Sequence, residues 1–572
     1  MNVKSSGLFK YKSNIKWVVL FLLLAGMAWF TRYYLSSGFG LYEDDLTFIP
    51  SAIEADFNGI LGMISGYFSS LSQQGRPFMW SWVVLLSHLG WRLGGLQGMY
   101  MIAYLVWLNN IILFVLLLKK INPDFFFIVI GGIAYVVFSA DTNQAFLFNV
   151  YGLQTAITFL LLAFHFYISF QKLRWFSYFL LGIVILTYET PYWLFLAAPL
   201  LTYNKHKVLL KRIFENTIIV TSMFLIIYYL RYISGESRVA NLGFPEMIVT
   251  PLEHMAIGPF VGLGIYFLRP IIVFQRFSFL LGIAAVISSG ALFIFIYWMQ
   301  NNLSDDSFKQ KINYQLRKIK VLSKVNRELR LALAGLIMLV FAYPLTILLR
   351  AYAISGRETR VHLAAVVGAS LIIACVVTAV YRLVLTKTLK LILIGFVSVL
   401  FGLNFAFGFL IQQDYVRAWD LQKQFWQEIL PLVSDSKGGT AILIEESHLE
   451  DVLYIDANTW NLPRILPQLI EFPQDWDRPP RVFRLIENWQ TNIIRNPGYF
   501  TIDSNNSIAP TRTHGDYLQE RAIFLTLENN KLVRLYEIQV LEENISLMPD
   551  EIKTFSEFST KALYNLMINI EQ

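Results

Sequence analysis

The chain has 572 residues, of which 55% are hydrophobic, 16% aromatic and only 15% charged, and its mean hydropathy is +0.50. That balance excludes an ordinary soluble globule or a disordered chain and describes a polytopic membrane protein. The net charge of +7 is distributed between apolar runs rather than over one soluble face, which follows the positive-inside bias and argues against nucleic acid as a partner.

A crossing helix needs about 20 apolar residues. In chain order, spans are predicted at about Trp17 to Tyr33, Gln97 to Leu118, Phe125 to Ala140, Leu153 to Phe170, Trp175 to Tyr188 and Pro191 to Tyr203. Further spans follow at about Thr217 to Ile233, Phe277 to Met299, Leu331 to Leu349, Leu363 to Val380 and Leu391 to Ile411. This gives about eleven transmembrane helices. Two more apolar stretches, Phe78 to Leu93 and Ala256 to Phe274, are placed along the outer face. The first is short and carries Trp80, Trp82 and Trp91, and the second is broken by Gly258, Pro259, Gly262, Gly264 and Pro270.

The lysines set the orientation. Lys4, Lys10, Lys12 and Lys16 precede the first span, and Lys119, Lys120, Lys172, Lys205, Lys207 and Lys211 fall in alternate loops, which marks these loops and the N-terminus as cytoplasmic. The connection from Asn301 to Arg330 is also basic, and an odd number of spans leaves the tail outside. With no cleavable leader evident, the first span is expected to remain as an anchor, in a bacterial plasma (inner) membrane.

On this topology the outer loops carry Arg76, Arg92, Arg238, Arg269, Arg276, Arg350, Arg357 and Arg360 and no lysine. Arginine on the translocated side runs against the insertion bias, and its planar fork holds phosphate oxygens bidentately, so an external lipid phosphate accounts for the pattern. Individual arginines also read as partners of Glu43, Glu54, Glu236 or Glu358, or as snorkelling groups. The same outer face begins with an acidic run, Tyr42-Glu43-Asp44-Asp45, just after the first span. Ionisable groups at a membrane boundary are costly and tend to mark function; the alternative is a solvated loop that helps the first span orient.

A first span, an outer loop that opens with Glu43-Asp44-Asp45, two helices along the membrane, many further spans and an external C-terminal domain resemble the GT-C superfamily of membrane glycosyltransferases, over roughly residues 1–411. Gln74-Gly75-Arg76-Pro77 also looks like an element of its bacterial members. The resemblance implies a sugar donor carried on a polyprenyl or dolichyl phosphate, and an aspartate of the first outer loop as catalytic base, a role that falls on Asp44 or Asp45, with Asp44 favoured. Some members of the superfamily need a divalent cation, which Glu43, Asp44 and Asp45 could hold through oxygen.

The residue types fit that chemistry. Sugar transfer from a lipid phosphate to a hydroxyl needs a base for the acceptor proton and cations for the departing phosphate. A partly dry site and the adjacent like charges of Glu43, Asp44 and Asp45 would raise a carboxylate's pKa. Arg357 and Arg360 are assigned to the phosphate, with His362 nearby as a proton or hydrogen-bond partner and Arg238 as a further candidate. Glu189, before Pro191 at the tip of a short hairpin of spans, orients a sugar hydroxyl or Arg76, or is a simple turn residue. His88, His165, His206 and His254 are scattered singles that read as packing residues, and Cys375 as a small buried hydrophobe. Glycine pairs at 94–95 and 131–132 read as close helix packing.

From about Gln412 the hydropathy collapses. Apolar runs at Ala441 to Ile444, Arg481 to Leu485, Ala522 to Leu527 and Leu532 to Val540, with helices at Ala418 to Val433 and Pro549 to Leu566, predict a small extracytoplasmic α/β domain over 412–572. It would bind acceptor or cap the outer cleft, and Trp460 would stack on a sugar or pack internally. The fold expected is thus a polytopic α-helical membrane domain over 1–411, whose first outer loop is 34–96, followed by this domain. The expected partners are a polyprenyl-phosphate-linked sugar, an acceptor that is a glycan, lipid or protein, and membrane lipids. A transporter or flippase of a lipid-linked sugar, or a structural subunit, is the alternative; intramembrane polar sites in both halves would mark the transporter.

Overall fold

A computed structural model describes residues 5–69, 75–203, 206–233, 244–303, 314–346, 350–445, 461–508, 513–529, 531–540, 543–549 and 559–568. It divides into two units: Met1–Ser37, Leu61–Leu86 and Leu93–Gln413 form the first, and Gly38–Ile60, Ser87–Arg92 and Asp414–Gln572 form the second. Of residues 34–96, Gly38–Ile60 and Ser87–Arg92 fall in the second unit.

In chain order the helices are α1 (Ser5–Arg32), α2 (Asp44–Glu54), α3 (Phe57–Ser69), α4 (Pro77–Ile121), α5 (Phe125–Val137), α6 (Thr155–Ser169), α7 (Arg174–Thr187), α8 (Ala198–Thr202), α9 (His206–Ile233), α10 (Phe244–Gln275), α11 (Phe279–Leu303), α12 (Tyr314–Val340), α13 (Ala365–Leu383) and α14 (Lys387–Leu432). Among the described residues, eight helices are long and apolar enough to cross a membrane: Ile15–Gly38, Pro77–Ile121, Asn149–Ser169, Lys207–Ile233, Ile248–Gln275, Phe279–Gln300, Ala365–Leu383 and Lys387–Leu432. Phe125–Val137 and Tyr192–Thr202 are shorter apolar helices. Leu22, Phe214, Phe279 and Val286 expose most of their side chains, as lipid-facing residues do. The chain is therefore a polytopic helical membrane protein.

Some elements differ from expectation. The stretch from Phe78 to Leu93 is continuous with the next span in α4, broken only where Gly94 and Gly95 leave helical geometry. A Cβ at Gly94 would meet nothing within 4 Å, so Gly94 serves the kink rather than a close contact. Gly131 and Gly132 do lie against neighbours, Leu118 and Ala374 for the first and Leu24 and Val115 for the second. The span expected over 331–349 ends as helix at Val340, and 347–349 lie outside the described residues.

Two sets of polar contacts define the ends of the first unit's bundle. At one end Arg382, in the last turn of α13, pairs with Asp124, which caps α5, and with Glu328 of α12. At the other, the segment that follows α5 is hydrogen-bonded to the segment that precedes α13. Helix α10 keeps its contacts near this second end. His254 meets Thr346, Gly258 and Gly262 lie on Tyr343, Tyr266 donates to Ala134 O, and Arg269 donates to Ser139 O. Helix α10 meets the length and hydropathy criteria for a crossing over Ile248–Gln275.

In the second unit, the five-stranded sheet has the order β4-β2-β1-β6-β7. Its strands are β1 (Ala441–Glu445), β2 (Arg481–Leu485), β4 (Ser507–Ile508), β6 (Ile523–Glu528) and β7 (Lys531–Leu535). β1 runs parallel to β2 and β6, while β4 and β7 pair antiparallel at the edges. Parallel neighbours need a crossover, and α15 (Leu462–Leu469) lies between β1 and β2 in the chain and packs on β2. Two antiparallel ribbons complete the unit, β3 (Tyr499–Ile502) with β5 (Gly515–Leu518) and β8 (Glu537–Val540) with β9 (Glu543–Ser546). Alternate strand residues Ala441, Leu443, Phe483 and Leu485 bury one face with Trp489, Phe500 and Tyr517. Helix α2 packs on α15 and on α16 (Ala562–Met567). Of the helix expected over 549–566, residues 550–558 lie outside the described residues, as does Trp460, and α16 begins at Ala562.

Candidate functional site

The acidic run forms a tight turn in the second unit. Asp45 N–H donates to Tyr42 O at 2.9 Å and Leu46 N–H to Glu43 O at 3.1 Å, which starts α2. Glu43 has φ 46° and ψ −113°, a conformation rare for a residue with a Cβ. Strain of this kind, of order 1–3 kcal/mol, clusters at functional sites. The turn is anchored from behind: Tyr42 OH accepts from Gly40 N at 3.0 Å and donates to Tyr415 O at 2.8 Å, while Asn461 Nδ2 donates to Glu43 O at 3.3 Å. Gly40 is required, because a Cβ there would come within 1.8 Å of the Trp419 ring. Burial, the dominant influence, together with nearby Asp45 and Asp420, pushes the Tyr42 phenol up, so it remains a neutral donor.

The turn separates the two candidate bases. Asp45 is fully buried, and its Oδ2 accepts from Tyr42 N–H at 3.3 Å, closing the turn on itself. Asp44 is half-buried. Both lie in the first turn of α2, where the helix dipole favours negative charge and accounts for part of the acidic run. Asp45 thus has a structural use within the turn, and Asp44 is the acid with solvent access. Among the described residues, no group of three or more His, Cys, Asp or Glu side chains is gathered as a metal site.

The arginine candidates lie in the first unit. Arg357 to His362 form one 3₁₀ turn entered through Gly356 at φ 67°. In 3₁₀ geometry i and i+3 eclipse, which sets Arg357 and Arg360 on one side of the turn, both half-buried. His362 is fully buried, with Nε2 at 2.8 Å from Ala353 O and Nδ1 at 2.9 Å from Tyr343 OH. A carbonyl only accepts, so Nε2 carries the proton and Nδ1 accepts the tyrosine hydroxyl. Burial pushes the imidazole down to about 4, assisted by Arg269 and opposed by the Ala353 bond. His362 was expected beside the phosphate as a proton or hydrogen-bond partner, but both of its nitrogens are engaged within the protein. It is a neutral strut.

Arg76 and Glu189 come together. Arg76 Nε donates to Glu189 Oε2 at 2.8 Å, and a second guanidinium nitrogen bonds Oε1, which makes the pair bidentate; the guanidinium also lies 4.6 Å from the Tyr188 ring centroid. Arg231 joins them, 3.7 Å from Glu189 Oε2, and donates to Gly75 O and Ile185 O. Gly75 has φ 58°, and a Cβ there would fall 2.4 Å from Arg231 Nε, which explains the glycine before Arg76. Arg350 and Glu358 form an exposed pair at 3.8 Å. Arg238 lies outside the described residues.

Sequence reasoning missed two features. Arg231 was absorbed into a span, although a cation inside an apolar helix is itself a signal. The second is Asp141-Thr142-Asn143, buried between α5 and α6 and bonded to the Gly356–Thr359 turn; no local motif marks it. His88, His165 and His254 each contact a protein oxygen, at Ala52, Leu113 and Thr346, as packing residues do.

The chain matches no family model, no curated protein and no solved structure with which it was compared.

Proposed function

We propose that the chain is a membrane glycosyltransferase of the GT-C kind. It would move a sugar from a polyprenyl phosphate to a hydroxyl of a glycan, lipid or protein on the outer face of a bacterial plasma membrane, with about eleven spans and a cytoplasmic N-terminus. Asp44 is the base that takes the acceptor proton, Asp45 holds the turn that presents it, and Arg357 and Arg360 stabilise the departing phosphate. The observation that carries this reading is the strained turn at Glu43, in which Asp45 is fully buried and accepts from Tyr42 N–H while Asp44 is half-buried. Arg76 is held by Glu189, so its contribution to an anion is indirect.

The test is transfer by purified protein from a panel of polyprenyl-phosphate sugars to candidate hydroxyl acceptors, with Asp44→Asn and Asp45→Asn at matched folding. The reading expects Asp44→Asn to bind donor but lose turnover by roughly 10²–10⁴-fold, and Asp45→Asn to lose stability first. Donor binding without turnover in any variant, together with full cellular function of Asp44→Asn, would replace the transferase with a transporter of the same lipid-linked sugar.

A further inference from the structure

Two segments distant in sequence are joined by buried polar groups at one end of the first unit. Thr142 N–H donates to Thr359 Oγ1 at 3.0 Å and the two hydroxyls are 2.9 Å apart. Asn143 Nδ2 reaches Gly356 O at 3.1 Å and Arg357 O at 3.0 Å. From the same turn, Asp141 Oδ1 accepts Asn143 N–H at 2.9 Å, while Oδ2 is buried with no hydrogen-bond partner. The charged groups close to Asp141 are Arg32, from the end of α1, and Arg360, from the 3₁₀ turn. Arg32 is itself fixed, donating to Val136 O and Phe138 O and lying 4.1 Å from the Trp107 ring centroid.

A fully buried carboxylate is a poor structural device. An asparagine would keep the bond to Asn143 without a desolvated charge. The carboxylate has a use if its charge matters to its neighbour. We infer that Asp141 is a positioning counterion of Arg360, and that it competes with an anionic phosphate for that guanidinium while Thr142 and Asn143 fix the turn that carries it. The inference rests on the proposed role of Arg357 and Arg360 and adds a regulation to it. When Asp141 is charged, Arg360 is partly neutralised and phosphate binds more weakly. When Asp141 is protonated, the full charge of Arg360 faces the phosphate. By linkage, phosphate binding must draw a proton onto Asp141. Burial, the largest influence, brings this carboxyl up to about 6, against the opposing bond from Asn143, the two arginines and the nearby Thr359 hydroxyl, so the exchange falls in an accessible range.

The probe is a short-chain polyprenyl-phosphate glucose, whose phosphodiester stays singly ionised throughout the range, binding to the full chain in nanodiscs. Wild type should bind roughly 10-fold tighter at pH 5.5 than at pH 7.5, the size of effect a charged neighbour exerts. Asp141→Asn should bind at pH 7.5 as wild type does at pH 5.5, with a flat profile, and Asn143→Ala should weaken binding at both. Calorimetry in two buffers of different ionisation enthalpy gives a second measurement on unmodified protein, with proton uptake expected on binding near pH 6.5. Equal pH profiles in wild type and Asp141→Asn, or no proton uptake, would overturn the inference while leaving the phosphate site intact. Absence of donor binding by wild type, unchanged in Arg360→Gln, would overturn the phosphate assignment itself and this inference with it.

Discussion

Replacing Arg382 with leucine should destabilise the first unit by about 3–5 kcal/mol, chiefly because it leaves a carboxylate buried without a cation. Glu328 is 2% exposed; its Oε1 accepts from Arg382 and, at 3.3 Å, from Asn122 Nδ2, and its Oε2 has no hydrogen-bond partner. Asp124, the other acid on Arg382, has a side chain 30% exposed and still caps α5 through Phe126 N. Water can solvate it, so its loss of the arginine should cost no more than about 1 kcal/mol. The penalty therefore runs through Glu328. It follows that Glu328→Leu alone, which leaves Arg382 paired with Asp124, should cost about 1–2 kcal/mol, and that the double variant should lie well short of the sum of the singles, with a coupling of about 2–3 kcal/mol. Unfolding of the four proteins in mixed micelles with increasing SDS, followed by tryptophan fluorescence, measures the cycle. Additive singles would refute the argument, because they would mean that Glu328 is hydrated or finds another cation when Arg382 is removed.

Two further outcomes follow from close contacts. Arg534 in the second unit donates to Asp435 Oδ1 at 2.7 Å, Leu432 O at 3.1 Å and Met548 O at 3.0 Å. Arg534→Ala should cost about 3–5 kcal/mol, read as proteolysis of the tail at lower denaturant than in wild type, whereas an unchanged cleavage profile would place the pair outside the stability of that unit. At the crossing of α12 and α13, a Cβ on Gly368 would fall 2.6 Å from Leu339 N and 2.7 Å from Gly335 O, both backbone atoms. Gly368→Val should therefore lower the apparent Tm and the yield of monodisperse protein, by more than the about 1–3 kcal/mol of ordinary overpacking. Wild-type yield and Tm would show that the helices part easily there.

What was legible in the sequence was what depends on local pattern. The apolar runs 441–444 and 481–485 became the paired strands β1 and β2, because a continuous β-favouring run in a two-sided sheet carries its own signature. The long apolar stretches likewise became helices, but their ends and breaks were read less well. Gly94 and Gly95 kink one helix, with open space beside Gly94, and whether a glycine is close to anything depends on elements remote in sequence. Partnership was the least legible property. Arg76 with Glu189 was anticipated as one option, yet Arg231 was not, and Thr142 and Thr359 are joined across more than 200 residues by an ordinary polar turn. A hydrophobic period marks which face is buried, but it does not carry the identity of the group on the other side. Asp44 was favoured over Asp45 without a contact to separate them, and in the structure the turn at Glu43, with its positive φ, directs the Asp45 carboxylate towards Tyr42 N–H.

The two titratable groups at the joined loops should oppose each other in the pH dependence of stability. Asp141 is raised from 3.8 to about 6, first by burial, so the folded protein holds its proton more tightly than the unfolded chain. Its contribution is present below pH 3.8 and is lost as pH rises through 6. His362 is lowered from 6.5 to about 4, again first by burial, so the unfolded chain binds its proton more tightly. Its contribution is present above 6.5 and is lost as pH falls towards 4. Each shift corresponds to roughly 3 kcal/mol, and the windows overlap between about pH 4 and 6. The two slopes therefore nearly cancel in the wild type. Asp141→Asn removes the falling limb and should expose a protein whose apparent Tm drops as pH is lowered from 6.5 to 4.5. His362→Gln should do the reverse, losing Tm as pH rises over the same interval, with a constant offset for the altered bonds to Tyr343 and Ala353. Parallel Tm curves for wild type and both variants would mean that water reaches these side chains in the folded protein and that burial is not what governs their protons.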